Sequence, residues 1–285
     1  MKIVSNSDSI SSSDRAFNYG DGIFTTLCVS NRNIELLSFH LKRLTHDAAV
    51  LGIQLDETIL SHAIYDYVNS LPAELDKKVV KIHVSAGEGG RGYARHPQTP
   101  ALVRFSTHAY PQHYSQLKQT GMEVICARTK LAIQPLLGGV KHLNRLEQVL
   151  IKQEVTEAKV DDALVFNTND ELVEASAGNV FFKIADRWHT PEITHCGVNG
   201  VVRQCLINEM TRAGIDVHQG KYTFEDIMAS DSLLVTNALM GVMPVAKLSL
   251  SDLNESKLFS QSIHSSAVLA SLLTNKIQDE YANTP

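Results

Sequence analysis

The chain is poor in the features that assign proteins quickly. Of its 285 residues only four are cysteine: Cys28, Cys126, Cys196 and Cys205. None forms a CxxC pair and their spacing fits no zinc pattern, so free thiols in a reducing cytoplasm are expected. The 12 histidines are scattered without an HExxH or similar ligand spacing, which argues against metal catalysis. No run approaches ~18 consecutive apolar residues, so no membrane span is expected. The stretch Met1 to Asp8 lacks the apolar core of a signal peptide. Positive charge is not in excess: 26 Lys and Arg stand against 31 Asp and Glu, a net charge of -5. That balance argues against a nucleic-acid or anionic-membrane partner and leaves room for a small anionic substrate met by local cations. Repeats and low-complexity tracts are absent, and the run Ser9 to Ser13 reads as a turn.

What remains is an ordinary globular balance, 44% hydrophobic and 20% charged, in a chain long enough for two domains. Strand-like segments fall at Ile23 to Val29, Val79 to Ser85, Leu102 to Thr107, Met122 to Arg128, Ala163 to Asn167, Val180 to Ile184 and Ser232 to Val235. Helical periodicity marks Phe39 to Leu51, Glu57 to Ser70, Leu143 to Ala158, Val201 to Ala213 and Lys257 to Ile277. In the third of these, Leu143, Leu146, Val149, Leu150 and Gln153 trace a mostly apolar stripe. Helices and strands do not alternate strictly, so the class is α+β rather than doubly wound. A Pro-containing connection near Gln112 to Gly121 suggests a linker over 113–120, between a smaller domain, 1–112, and a larger one, 121–285.

Six segments carry chemistry. Lys141 follows Gly138-Gly139-Val140; a lysine there is either solvated or held in a drier pocket. In the second case desolvation lowers the ammonium pKa and frees a nucleophilic amine able to form a Schiff base. Gly20-Asp21-Gly22 reads as a tight turn, most simply a hairpin. Gly87-Glu88-Gly89-Gly90-Arg91-Gly92-Tyr93 lacks a P-loop ending and reads as a loop presenting Arg91 to an anion. Gly197-Val198-Asn199-Gly200 runs into a helix at Val201, either ordinary initiation or a phosphate cradle. Glu174 ends a strand, and Thr236-Asn237-Ala238 follows another before a bend at Pro244. Together these supply a lysine, a carboxylate and phosphate donors, which are the needs of pyridoxal phosphate (PLP).

Five stretches, in order from about Asp14 to Pro244, resemble the class IV (fold type IV) PLP enzymes. They are Phe17-Asn-Tyr-Gly-Asp-Gly-Ile-Phe-Thr-Thr, His40-Leu-Lys-Arg43-Leu, Lys141-His-Leu-Asn-Arg-Leu-Glu, Glu174-Ala-Ser-Ala-Gly-Asn-Val-Phe and Gly197-Val-Asn-Gly-Val-Val-Arg. That family holds branched-chain aminotransferases, D-amino acid aminotransferases and 4-amino-4-deoxychorismate lyases. Gly89 to Tyr93, Lys141 to Leu150 and Asn237 to Val245 are most similar to the lyase subgroup. So is Phe24-Thr25-Thr26, where transaminases usually carry an aromatic followed by Glu.

The resemblance implies a two-domain α+β fold like that of D-amino acid aminotransferase, a cytoplasmic homodimer, and Lys141 as the PLP lysine. It implies that Glu174 faces the pyridine nitrogen. Arg43, the amides of Val201 and Val202, Asn237 and Ala238 would bind the phosphate. Val202, often Thr in related transaminases, and Ala238 offer backbone only. Arg91 and Tyr93 would help bind a dianionic substrate, with Thr26, Arg104, Asn144 and Arg145 as further pocket residues. The implied reaction is conversion of 4-amino-4-deoxychorismate to 4-aminobenzoate and pyruvate, a step toward folate. A D-amino acid or branched-chain aminotransferase is the alternative.

Overall fold

The structure, a computed structural model, describes residues 1–4, 8–72, 77–250 and 255–282. The chain divides into two compact units: residues 1–110 with Val140–Asn144, and residues 111–139 with the chain from Arg145 on. Lys141 thus packs with the first unit, whereas the sequence reading placed it in the second.

The first unit contains β1 (Lys2–Val4), α1 (Arg15–Tyr19), β2 (Gly22–Ser30), β3 (Asn33–Ile34), α2 (Leu37–Val50), α3 (Glu57–Ser70), β4 (Lys77–Ser85) and β5 (Leu102–Ala109). Its sheet runs β1-β5-β4-β2-β3. Alternation along β2 sends Ile23, Leu27 and Val29 into the core and leaves Phe24 and Thr26 half-buried on the other face. In α3 the residues Leu60, Ile64 and Val68 recur every four positions and are all buried in that core. The Asp56 side chain starts the helix by accepting the Ile59 N–H at 2.9 Å. Gly20 is left-handed (φ 63°) and closes α1, so Gly20-Asp21-Gly22 is a helix exit into β2 rather than a hairpin.

The second unit contains α4 (Tyr114–Thr120), β6 (Met122–Cys126), α5 (Leu146–Ala158), β7 (Asp162–Phe166), β8 (Leu172–Ala175), β9 (Asn179–Ile184) and β10 (Arg187–Pro191). It continues with α6 (Val201–Arg212), β11 (Val217–Gly220), α7 (Phe224–Ala229), β12 (Ser232–Asn237), β13 (Gly241–Leu250), β14 (Glu255–Leu258) and α8 (Ser262–Ala282). Its mixed sheet runs β11-β10-β9-β12-β13-β6-β7-β8, with β14 beside β13. Strands and helices are intermingled, as the α+β expectation required.

Four expectations fail locally. The range read as a linker, 113–120, holds α4. Lys257 lies in β14, and the last helix starts at Ser262. Pro244 lies inside β13, opposite Leu234, rather than at a bend. It is tolerated because pairing of β13 with β6 begins one residue later, at Val245, so the missing N–H costs no bond on that side. Finally, α5 starts at Leu146 and turns Ile151 and Val155 inward. Leu146, Val149 and Leu150 are 79%, 54% and 50% exposed, so the apolar stripe faces away from the unit's core. Periodicity reports that a stripe exists, not what covers it.

Leu60→Ala should cost about 2–5 kcal/mol, the range for truncating a fully buried leucine, measured by denaturant unfolding. A cost under about 1 kcal/mol would mean that α3 does not pack through this stripe.

Candidate active site

In the first unit, the segment Val140–Asn144 is laid along β2. Val140 is buried in the core at 1% exposure. The Phe24 N–H donates to the Lys141 carbonyl at 3.1 Å, and the Leu143 N–H donates to the Gly22 carbonyl at 2.9 Å. The Lys141 N–H donates to Asp47 Oδ2 at 2.9 Å. The Lys141 ammonium stands 4.3 Å from the centroid of the Phe24 ring. The ring face favours the charged amine and partly offsets the cost of removing it from water. Lys141 itself is half-buried, and the apolar surface beside its ammonium is the Phe24 ring.

Behind β2, α2 presents His40, Arg43 and Asp47, three and four residues apart and all buried. Arg43 Nη2 donates to Thr25 Oγ1 at 2.6 Å, and Thr25 Oγ1 lies 2.7 Å from His40 Nδ1. Burial, then the charges of Arg43 and Lys141, hold His40 well below the ordinary histidine range. A neutral His40 with its proton on Nε2 leaves Nδ1 to accept the Thr25 hydroxyl, so Thr25 orients Arg43 through a fully directed chain.

On the exposed side of the same sheet, register sets Phe24, His83 and Arg104 in one row and Thr26, Lys81 and Ser106 in the next. Lys81 Nζ is 4.9 Å from the Phe24 ring, and the His83 ring stacks on it at 6.1 Å. Burial lowers the Lys81 pKa. Burial, followed by Lys81 and His108, brings His83 down to about 4. Arg104 donates to the carbonyls of Asp8 and Ser9 at 3.1 Å each. Thr26 is half-buried on this face, and Asn144 is exposed, its Nδ2 donating to the Gly20 carbonyl at 3.3 Å. Arg91 and Tyr93 are exposed in a loop whose base is held by Arg15, which donates to the carbonyls of Gly89, Tyr93 and Ala94. Arg15 and Arg95 both pair with Asp21. Burial opposes ionisation of Asp21, but hydrogen bonds and charge from Arg95 and Arg15 carry it below the usual carboxylate range.

In the second unit, Glu174 on β8 is buried, and its Oε2 accepts the Val198 N–H at 2.9 Å. Gly197 is left-handed (φ 77°), and a side chain there would run into Val173 and crowd Glu174, so glycine is required for this close turn. Asn179 brackets the same turn, with Nδ2 donating to the Val198 carbonyl at 2.8 Å and Oδ1 accepting the Gly200 N–H at 3.1 Å. Gly200 then opens α6 with no side-chain cap, so Val201 and Val202 present their N–H groups from the helix start. Arg203 lies one turn in, held by Asn199 Oδ1, the Pro191 carbonyl and Gln219 Oε1, and burial brings it down to about 10. A cation in the first turn adds to the positive end of the helix dipole and favours an anion there. Burial, then Glu174, pushes the Cys196 thiol up to about 11, which keeps it protonated and un-nucleophilic. Asn237 is spent on its own turn: Nδ2 donates to the Ala177 carbonyl at 2.9 Å, and Oδ1 accepts the N–H groups of Leu239 and Met240. The donors expected from Asn237 and Ala238 are thereby reduced chiefly to backbone. Arg145 is the N-cap residue of α5, immediately before Leu146.

These donor sets fit PLP. The first unit offers an amine on a clamped backbone and a buried guanidinium, which suit an aldehyde and a phosphate. The second offers a buried carboxylate acceptor, which suits a pyridinium N–H, and an uncapped helix start, which suits a phosphate. Sequence reasoning passed over Phe24, Thr25, His40, Asp47, Asn179 and the Arg15–Asp21–Arg95 cluster as working parts. The spacing of His40, Arg43 and Asp47 on a helix was the available signal for three of them.

An α+β fold with such donors defines a PLP-dependent enzyme. The family model for amino-transferase class IV matches residues 22–248, and the chain belongs to that family. The chain is 32% identical over 236 residues to an aminodeoxychorismate lyase of Vibrio harveyi, covering 83% of this chain and 86% of that one. It is 25% identical to a D-alanine aminotransferase of Bacillus licheniformis, covering 82% and 81%. Among solved structures, a 4-amino-4-deoxychorismate lyase from Pseudomonas aeruginosa is similar at a TM-score of 0.82 and 30% identity, covering 97% of this chain and 96% of that one.

His83 should titrate near 4 instead of 6.5 when followed by proton NMR. Because the unfolded chain takes up this proton first, stability should fall as pH drops from 6.5 toward 4 and level off below. His83→Gln should remove that part of the pH dependence; an unshifted His83 midpoint would contradict its packing against Phe24 and Lys81.

Proposed function

We propose that the chain is an aminodeoxychorismate lyase that converts 4-amino-4-deoxychorismate to 4-aminobenzoate and pyruvate with PLP held through Lys141. The observation that carries this reading is likeness to lyases of Vibrio harveyi and Pseudomonas aeruginosa, at 32% and 30% identity over 83% and 97% of the chain. The D-alanine aminotransferase of Bacillus licheniformis is less similar, at 25%.

PLP, when bound, supplies the electron sink for the carbon bearing the substrate amine. The work of the chain is to bind, orient and move protons. Lys141 Nζ would hold the cofactor, and as the free amine would remove the proton from that ring carbon and deliver one to the departing enolpyruvyl group. A hydroxyl such as Thr26 is the second candidate donor for the latter step. Glu174 keeps a proton on the pyridine nitrogen; the Val198 N–H bonded to it favours the carboxylate needed for that role. Arg43, aimed by Thr25, and the amides of Val201 and Val202 bind the phosphate, with backbone groups of Asn237 and Ala238. Arg91, Tyr93, Arg104, Asn144 and Arg145 are proposed to serve the substrate carboxylates, for which guanidinium groups are suited by two-point hydrogen bonding.

The protein is further proposed to act as a homodimer in the cytoplasm. Support for the dimer is the outward apolar stripe of α5, which a second copy would cover. Support for the compartment is the set of four free thiols. Among the described residues no helix is long and apolar enough to cross a membrane.

A coupled assay should detect 4-aminobenzoate and pyruvate, with transamination of D-alanine or leucine far slower; the reverse ranking would make this an aminotransferase. Lys141→Ala should abolish turnover and borohydride-trapped attachment of the cofactor, read by mass. Glu174→Gln should retain bound PLP but turn over more slowly. Leu150→Glu should shift sedimentation toward the monomer; an unchanged sedimentation coefficient would remove α5 from the interface.

A further inference from the structure

Between β4 and β5 the chain leaves the sheet of the first unit, and one buried guanidinium collects the tip of that loop. Arg15, the first residue of α1, is 3% exposed. Its Nη1 donates to the Gly89 carbonyl at 3.3 Å and the Ala94 carbonyl at 3.1 Å, and its Nη2 to the Tyr93 carbonyl at 2.8 Å. Its Nε donates to Asp21 Oδ2 at 2.7 Å. The base of the loop has further holds. The Arg15 N–H donates to the Gly87 carbonyl at 2.9 Å, and the Gly89 N–H to the Ser13 carbonyl at 3.0 Å. Arg95 donates to both oxygens of Asp21 and to the carbonyl of Leu51, the C-cap of α2. The tip is held differently. Arg91 stands between Gly90 and Gly92, both left-handed at φ 89° and 57°. Inside the tip the Ala94 N–H donates to the Arg91 carbonyl at 3.3 Å. From outside, among the described residues, 90–94 are held by the Arg15 guanidinium and by the Tyr19 ring, 5.5 Å from that of Tyr93.

We propose that Arg15 is a positioning residue for substrate binding: by gathering carbonyls on both sides of Arg91 it fixes the loop tip that presents Arg91 and Tyr93 to a substrate carboxylate. This rests on the reading of those two side chains as substrate-binding groups. Exposure and chemistry divide the labour between the two arginines. Arg15 spends its N–H groups on three carbonyls and one carboxylate of the protein. Arg91 is exposed, and among the described residues its side chain makes no hydrogen bond or ion pair. Two flanking glycines give the tip many conformations, and ordering them at the moment of binding costs affinity. Bonding the carbonyls of Gly89, Tyr93 and Ala94 to one rigid plane closes that stretch around a single group before substrate arrives. A lysine ammonium, a point donor on a flexible stem, does not reproduce this fork. Asp21 sets the plane of the guanidinium through Nε and also binds Arg95, so the tip and the base of the loop share one carboxylate.

Arg15→Lys keeps the charge beside Asp21 and loses the fork. In the lyase assay it should raise KM about 10- to 100-fold and change kcat less than about threefold, the pattern of lost binding rather than lost chemistry. In a chain already carrying Arg91→Ala and Tyr93→Ala, Arg15→Lys should add less than about twofold, because nothing is left for it to position. A merely structural role would add its full effect there. In the cofactor-free protein, trypsin should cut the Arg91–Gly92 bond at least about 10-fold faster in Arg15→Lys than in the parent, read by mass. The proposal is overturned if Arg15→Lys keeps its KM, if it acts as strongly in the Arg91→Ala, Tyr93→Ala chain, or if trypsin cuts parent and variant alike. Should Arg15→Lys fail to fold in a thermal melt, Gly90→Ala decides. A side chain at this exposed position would collide with the Ala94 carbonyl and stand 3.1 Å from Arg15 Nη1, parting the tip from the guanidinium. It should raise KM in the same way, and an unchanged KM would overturn the proposal. If Arg91→Ala with Tyr93→Ala leaves KM unchanged, the substrate role of the loop itself has failed; if that pair raises KM and Arg15→Lys does not, only the role of Arg15 has failed.

Discussion

The docking of Val140–Asn144 along β2 is the constraint on which the chemistry of the first unit depends. These five residues belong to that unit although the chain on either side of them belongs to the second. Burial of Val140 and two main-chain bonds to β2 hold the segment. Once it is held, a single strand organises the rest. The odd residue Thr25 faces α2 and directs Arg43, while the even residue Phe24 faces the other way and carries the Lys141 ammonium on its ring. Period-two alternation thus separates a phosphate-type donor from an amine on opposite faces of one strand.

The second unit solves a comparable problem with a turn. Glu174 and Asn179 hold the backbone of residues 198–200, and that turn delivers α6 uncapped. The carboxylate and the helix start are therefore mechanically linked: what orients one orients the other. Charge is distributed in the same spirit. The chain is acidic overall, at -5, yet Arg43 and Arg203 are buried cations and Lys81 a partly buried one. Local placement decides what an anion meets, and net charge does not.

Much of this was legible in the residues. Alternation in Ile23 to Val29 and the four-residue spacing of Leu60, Ile64 and Val68 identified β2 and α3 and the faces they bury. The ordered motifs around Arg43, Lys141, Glu174 and Gly197 pointed to class IV and to PLP. Other parts were not legible, for definite reasons. The stripe of α5 faces out because burial depends on what packs beside a helix, which periodicity does not encode. Pro244 sits in a strand because pairing on one side starts after it, a matter of register. Asn237 spends its side chain on its own turn, a choice made by loop geometry. Asp21 looked like turn chemistry, but its carboxylate binds Arg15 and Arg95, the latter 74 residues away.

By itself, then, the sequence determined which chemical groups this protein brings: an amine after a flexible diglycine, a carboxylate at a strand end, a glycine-led helix start and an arginine on an amphipathic helix. Those follow from residue type and short-range spacing, and local physics suffices to read them. The tertiary structure alone decided how each group is held. Asp47 on the Lys141 amide, Phe24 under its ammonium, Thr25 on Arg43 and Asn179 on the α6 turn are contacts between residues 18 to 117 positions apart. Hydrogen bonds and ring contacts act over a few ångströms in space, and only the fold sets which distant residues come that close.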